Sequence, residues 1–303
     1  MSKAVKKILI TGATGYVASQ MLQYMSENYE TVLLDTRLQD RSGQRIKGIH
    51  IADLIDPDRS QYAHFFEKVD SVIHLAYKRR TGDPLDHYYV EKENIEMAYN
   101  ILRCSYDGGV NRVIMASSNH AADWYEHALV HRGRMENVDP YLLPLSDNFY
   151  GWAKATYEHL GFLFACGGMG EGVDAAAADN QIRGNLGTSR KMGVVMVRIG
   201  APRELNTETY KNDPKSFRRD LGAYISRRDI TQLFGKAIET PNIDNEHGIP
   251  WQVVYGISGN ARSFWSLTNA REILGYRPED DSELKFREGV KQILHKHPNI
   301  SNG

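Results

Sequence analysis

Along the chain, short apolar runs alternate with longer segments in which apolar residues recur every three or four positions. Lys7-Ile8-Leu9-Ile10 is the first such run, and the absence of polar interruption predicts a strand buried on both faces. A helical pattern through Met21, Leu22 and Met25 follows, and then a second strand, Thr31-Val32-Leu33-Leu34, ending in Asp35. Ser71 to Leu75, Val113 to Ala116, Val194 to Val197 and Trp251 to Tyr255 read as further strands. Helices are expected from about Tyr88 to Tyr106 and from the region of Tyr150 to about Phe164. Asp229 reads as the cap of a helix through Ile238, and helical segments around Ser266 to Leu274 and Glu283 to Leu294 close the chain. No internal repeat is visible. Strands that alternate with helices in this way predict an α/β fold around a parallel sheet.

The first strand runs directly into Thr11-Gly12-Ala13-Thr14-Gly15-Tyr16-Val17-Ala18, ahead of the first helical pattern. Glycines at 12 and 15 permit a tight turn and let backbone N–H groups approach a pyrophosphate at the helix N-terminus, where the helix dipole favours an anion. Ala18 takes the small position where helix and strand pack closely. Asp35 lies about twenty residues beyond the loop, where a carboxylate binds both ribose hydroxyls of NAD and repels the extra phosphate of NADP. Arg37, just past it, is either a group that tolerates a 2′-phosphate or an ordinary surface charge.

Tyr150-Gly151-Trp152-Ala153-Lys154 sets a phenol and an ammonium one helical turn apart, after Ser117-Ser118 at the end of a strand. A cation on the same helix face favours phenolate and suits Tyr150 to act as a base near neutral pH. In a chain of 17 tyrosines that spacing is weak alone; behind a phosphate-binding turn and an acidic strand end it reads as chemistry.

Composition narrows the classes. The 37 basic and 38 acidic side chains leave a formal charge of −1, which gives no broad attraction to nucleic acid or to an anionic membrane. Cys104 and Cys166 lie far apart with no metal-ligand spacing, which suits a reducing cytoplasm better than a disulfide framework. No apolar stretch approaches spanning length.

Taken together, the Thr11 to Ala18 loop, Asp35, Asp53-Leu54, His74-Leu75-Ala76, Asn94, Ser117-Ser118 and Tyr150 to Lys154 resemble the extended short-chain dehydrogenase/reductases, the NAD-dependent epimerase/dehydratase family. The resemblance implies a doubly wound Rossmann fold in one extended unit over 1–303, with NAD as cofactor. Its Rossmann core would take about 1–165, 193–200 and 224–260, and a small substrate-side lobe about 201–223 and 261–303. The Gly/Ala-rich stretch 166–192 reads as a surface insertion or a lid.

In such enzymes Ser118 would polarise the substrate oxygen, Tyr150 would exchange a proton with it, and Lys154 would lower the Tyr150 pKa and hold the nicotinamide ribose. Asn94 would support Lys154 through water. Gly12, Thr14, Gly15, Tyr16, Val17, Asp35, Asp53, Leu54, Leu75, Ala76, Asn94 and Ser117 would line the cofactor, with Asp53 and Leu54 at the adenine.

Ser117-Ser118-Asn119-His120, Val197-Arg198-Ile199-Gly200, Ser226 to Asp229, Tyr255 to Ser258 and Phe264-Trp265 are similar to one branch, the uronate dehydrogenases. Those oxidise C1 of a hexuronic acid to a lactone with NAD. The likeness implies that Ser118, Asn119 and His120 touch sugar hydroxyls and that Arg198 binds near the cofactor or the sugar acid. It further implies a sugar or sugar-acid substrate and a homodimer packed through the long Asn94 and Tyr150 helices. A nucleotide-sugar epimerase or dehydratase with tightly held NAD, or a non-catalytic NAD sensor, are the competing readings.

Two departures stand out. Tyr77-Lys78-Arg79-Arg80 replaces a small hydroxyl residue after the His-Leu strand end, and its cations are either a solvated charge run on a loop or, with Arg79, a grip for a carboxylate, sulfonate or phosphate. The run Asp123 to Tyr141, with His127, His131, Arg132 and Arg134, lengthens the loop between Ser118 and Tyr150; no metal site is expected in it.

Overall fold

A computed structural model describes residues 5–167 and 190–294. Seven strands, β1 (Lys7–Thr11), β2 (Glu30–Asp35), β3 (Ile49–Ile51), β4 (Ser71–His74), β5 (Arg112–Ser118), β6 (Gly193–Ile199) and β7 (Trp251–Gly256), form one sheet in the order 3-2-1-4-5-6-7. Every pairing in it is parallel. The chain turns outward in opposite directions from β1 and β4, so the crevice beyond their carboxyl ends is the switch point at which such sheets bind ligands. Thr11, Asp35, His74 and Ser118 are all strand ends on that edge.

The apolar runs are continuous because both faces of the sheet are covered. Ile8, Ile10, Ile73, Ile114, Val195 and Val197 point to one side, against α1 (Tyr16–Asn28) and α6 (Arg227–Glu239), where Leu233 and Phe234 pack. Leu9, Val72, Val113, Met115, Val194 and Met196 point to the other, against α2 (His87–Asp107) and α4 (Phe149–Ala165), where Ile101, Tyr157 and Phe164 pack. Between them in sequence, α3 (Asp123–Ala128) is a short helix in the long run before Tyr150. A third cluster gathers Leu205, Val290 and Ile293 around Phe217 and Leu221 of α5 (Pro214–Ala223).

Several local expectations change. The edge strand β3 escapes sequence reading because it is three residues long and Ile51 is 58% exposed, so no apolar period forms. Asp229 does not cap α6: Ser226 does, its hydroxyl accepting from the Asp229 N–H at 3.0 Å. Asp229 is buried in the first turn, accepting from Ser258 Oγ at 2.6 Å and Glu279 N at 2.8 Å. The expected helix from Glu283 to Leu294 is broken at Phe286, whose ψ of 27° leaves the helical well between Ser282–Lys285 and Arg287–Gly289. Most of the 166–192 stretch lies outside the described residues. Cys104 and Cys166 are free, buried thiols. Among the described residues, no helix is long and apolar enough to cross a membrane.

Candidate active site

A cleft of about 1440 Å³ opens at the carboxyl edge of β1, β4 and β5 and collects residues from both halves of the motif set. At one end lies the glycine turn. Gly12 has φ +69°, and a Cβ there would stand 2.5 Å from the Ala76 backbone nitrogen, so no side chain fits between β1 and the strand end of β4. Gly15 is the N-cap of α1 and brings no capping side chain, which leaves first-turn N–H groups for a ligand. Asp35 Oδ2 accepts from the N and Oγ1 of Thr14 at 2.9 and 2.8 Å, and its Oδ1 accepts from Thr36 N at 2.7 Å. The carboxylate thus holds the turn in place and keeps acceptor capacity on Oδ1. Tyr16, Val17, Asp53, Leu54, Leu75 and Ala76 complete this wall, with Arg37 beside Asp35. An anion cradle, an acidic strand end and apolar walls in this sequence fit a dinucleotide.

At the other end, Tyr150 and Lys154 come from the first turns of α4. Asn148 caps this helix, its side chain accepting from Gly151 N at 3.0 Å. Gly151 presses against the turn after β5: a Cβ there would fall 2.0 Å from the His120 carbonyl oxygen. That contact sets Tyr150 in the cleft beside Ser118, close enough for the Ser118 hydroxyl to pull the phenol's pKa down. Burial raises the Tyr150 pKa; Ser118 pulls it down, Glu91 pushes it up, and Arg80 pulls it down. The net direction is upward, against the lowering expected from Lys154, because burial outweighs the nearby donors, and the cation stacked on the ring is Arg80, its guanidinium carbon 4.9 Å from the centroid. Lys154 instead donates to the Ala116 carbonyl at 2.9 Å and lies 4.3 Å from the Tyr157 ring centre and 5.7 Å from that of Tyr150. Burial lowers its pKa to about 8, against the opposing pull of Glu91 and Glu158.

Asn94 is fully buried and bonds to the loop after β4: its Oδ1 accepts from Lys78 N at 2.8 Å and its Nδ2 donates to Lys78 O at 3.0 Å. Nδ2 also reaches Glu91 at 3.2 Å. Glu91 in turn accepts from the Tyr77 hydroxyl at 2.6 Å and pairs with Arg80 at 3.5 Å. Sequence reasoning missed Glu91, although it stands one helical turn before Asn94 on the same face. His74, beneath the site, donates to or accepts from Thr11 Oγ1 at 2.7 Å, and burial, reinforced by Lys154, holds its pKa at about 3.

Asn119 and His120 also line the cleft, with Arg79, Arg203 and Arg219. His120 Nδ1 lies 2.9 Å from Asp123, whose carboxylate also accepts from Asn148 Nδ2 at 2.8 Å. The His120 ring meets Tyr150 edge-on, centroids 5.7 Å apart. The Asn119 amide, oriented to satisfy both ends, donates to Ile199 O at 3.2 Å and accepts from Arg219 Nη2 at 2.6 Å. Arg219, on α5, also binds Glu126 of α3 through Nε at 2.8 Å and Nη2 at 3.2 Å. Burial pushes the Glu126 carboxyl up, but the His131 and Arg219 hydrogen bonds and the Arg219 charge overcome it and bring the pKa to about 2.

Arg198 is not in the cleft wall, against expectation. The two-residue period of β6 turns it with Val194 and Met196 toward α4, where it is 1% exposed. It forks onto Glu158 at 2.8 and 2.7 Å and donates to the Tyr255 hydroxyl at 3.0 Å. Ser117, which does reach the cleft, donates to the same carboxylate at 2.7 Å. Of the loop histidines, His127 pairs with Asp147 and His131 with Glu126.

A seven-stranded parallel sheet with this cleft is that of an NAD-dependent dehydrogenase acting on a CH–OH group. Residues 8–164 match the model of the NAD dependent epimerase/dehydratase family, and the chain belongs to that family. It is 29% identical to an NAD-dependent glucose-6-phosphate dehydrogenase of Haloferax volcanii, over 91% of this chain and 94% of that protein. It is 27% identical to a uronate dehydrogenase of Pseudomonas putida, over 94% and 88%. The crystal structure of a uronate dehydrogenase from Agrobacterium tumefaciens shares the fold at a TM-score of 0.67 and 22% identity, over 95% of this chain and 90% of that one.

Proposed function

We propose that the protein oxidises the C1 hydroxyl of a cyclic sugar or sugar acid to the lactone, the reaction type of uronate dehydrogenase. The convergence of Ser118, Tyr150 and His120 at one end of a cleft whose other end is the Gly12 turn carries this reading. Bound NAD⁺ would supply the hydride acceptor for the C1 hydrogen. Tyr150 as phenolate takes the proton of the C1 hydroxyl, so that alcohol and NAD⁺ give lactone, NADH and one proton. Ser118 holds the substrate oxygen beside Tyr150, while Asn119 and His120 take ring hydroxyls. Asp123 keeps the His120 ring oriented, with Nε2 turned to the substrate. Arg80 offsets charge on the Tyr150 ring from 4.9 Å, Lys154 stands farther off at 5.7 Å, and Asn94 fixes the loop carrying Arg79 and Arg80. Arg79 is then available to an anionic group at the cleft mouth.

A panel of aldoses, hexuronates, sugar phosphates and sulfonated sugars, assayed with NAD and with NADP by absorbance of the reduced nicotinamide, tests the reading. Steady NADH formation with a lactone product is the expected result. Turnover of a nucleotide sugar without net NADH would favour an epimerase, and tight NAD binding with no turnover across the panel a sensor.

The expected homodimer is proposed to pack through α2 and α4. Tyr88 and Trp152 stack at 5.6 Å between ring centres on that outer face and remain 41% and 38% exposed, with Tyr89 at 65%. Light scattering should give twice the chain mass for the wild type and the single mass for Trp152→Glu; a monomeric wild type would dismiss the proposal.

A further inference from the structure

Arg219 is the cation that stands next to Asn119 in the cleft wall, and its donors are nearly all taken. Nε and Nη2 fork onto Glu126, Nη2 also reaches Asn119, and Nη1 donates to Asp220 at 3.1 Å. A guanidinium has five N–H groups, so one is left, on Nη1. Gripping a substrate carboxylate takes two parallel N–H groups from one guanidinium, and Arg219 cannot offer them. The surrounding charge points the same way. Glu126 is 2% exposed at its side chain and is bonded a second time by His131 at 3.2 Å. Asp220, 8% exposed, is shared with Arg203 and the Tyr210 hydroxyl, both at 2.6 Å. An incoming carboxylate would meet Glu126 and Asp220 already seated on Arg219, while Arg203, half exposed and bonded to Asp220 through Nη2, stands outside the Glu126 pair.

We infer that Glu126 determines substrate class: it fills the Arg219 guanidinium from within the protein, so the site takes aldoses that present hydroxyl groups to this corner and rejects sugars that present a carboxylate there. The lengthened run from Asp123 supplies both Glu126 and its second partner His131, which gives that departure from the uronate enzymes a role. The inference rests on the reading above, in which the sugar ring lies against Asn119 and His120. It is confined to this corner; Arg79 and Arg80 lie after β4, outside the Glu126 pair.

The test compares D-glucose with D-glucuronate and D-galactose with D-galacturonate, on wild type, Glu126→Gln and Glu126→Asp. Two readouts are used: kcat/KM with NAD, and isothermal titration of each sugar into NADH-loaded protein. The wild type should favour the aldose of each pair by about tenfold or more, and Glu126→Gln should shift that ratio toward the uronate by about tenfold, while Glu126→Asp, which keeps the charge, should stay near wild type. A merely structural Glu126 would weaken both members of a pair alike and leave the ratio unmoved, which overturns the inference. So does a wild type that prefers the uronates, a result independent of whether the variant folds. If no sugar yields NADH, the dehydrogenase reading fails by itself; the titrations still decide on Glu126, because uronate affinity must rise about tenfold in Glu126→Gln.

Discussion

Tyr150→Phe should lower turnover by about 10²- to 10⁴-fold, the range that a positioned acid or base supplies, while leaving NADH affinity within about threefold of wild type. The ring itself is retained, and with it the contacts to Tyr77, at 5.5 Å between centroids, to His120 and to Arg80. Only the hydroxyl, whose pKa Ser118 lowers, is lost. Initial rates set against a fluorescence titration with NADH separate the two quantities. Near-normal turnover in the variant would remove Tyr150 from the mechanism.

Lys154→Met should abolish most of the turnover and yet make the protein more stable at neutral pH. The ammonium is buried, and its pKa falls from 10.5 to about 8. Below pH 8 the folded and unfolded chains both hold the proton, so the folded state bears the full cost of a buried charge. Between 8 and 10.5 the folded protein releases the proton while the unfolded chain keeps it, and stability rises with pH; above 10.5 the cost has gone. A tenfold weakening of proton affinity corresponds to about 1.4 kcal/mol, so the cost below pH 8 is about 3 kcal/mol. The variant recovers less than this, because it also loses the bond to Ala116 and the ring contacts. Thermal unfolding of both proteins at pH 6.5 and pH 10.5 should therefore show a gain at the lower pH that vanishes at the higher. An equal loss of stability at both would mean that Lys154 stabilises the fold. A residue kept at such a cost is one retained for chemistry.

The residues that could be read from sequence are those whose meaning is local. Gly12 and Gly15 follow a strand directly, Asp35 ends the next one, and Tyr150 and Lys154 share one helix face; spacing along the chain is enough for each. Arg198 misled because β6 is buried on both faces, so its composition carries no parity, and only the packing tells that residue 198 turns toward Glu158. Glu126 and Arg219 are 93 positions apart, and neither sits in a pattern that announces the other. Glu91 was within reach of a periodicity argument from Asn94, but a buried acid on an amphipathic helix looks like surface charge until its partners, Tyr77 and Arg80, are seen on the loop after β4.

Asn148 has a bearing on how this enzyme could be altered. One end of its amide caps the helix of Tyr150 and the other holds the carboxylate that orients His120. Between Asp123 and Asn148 the chain makes an excursion whose two ends are clasped by this side chain, by the Trp124 N–H on the Leu145 carbonyl at 3.2 Å and by His127 on Asp147. New sequence from another sugar dehydrogenase can therefore be tried at the excursion's exposed positions, such as Leu143, with the proton-transfer frame left intact, while Asp123, Asn148 and the buried Val138, bonded to Phe264 and Ser266, are carried unchanged.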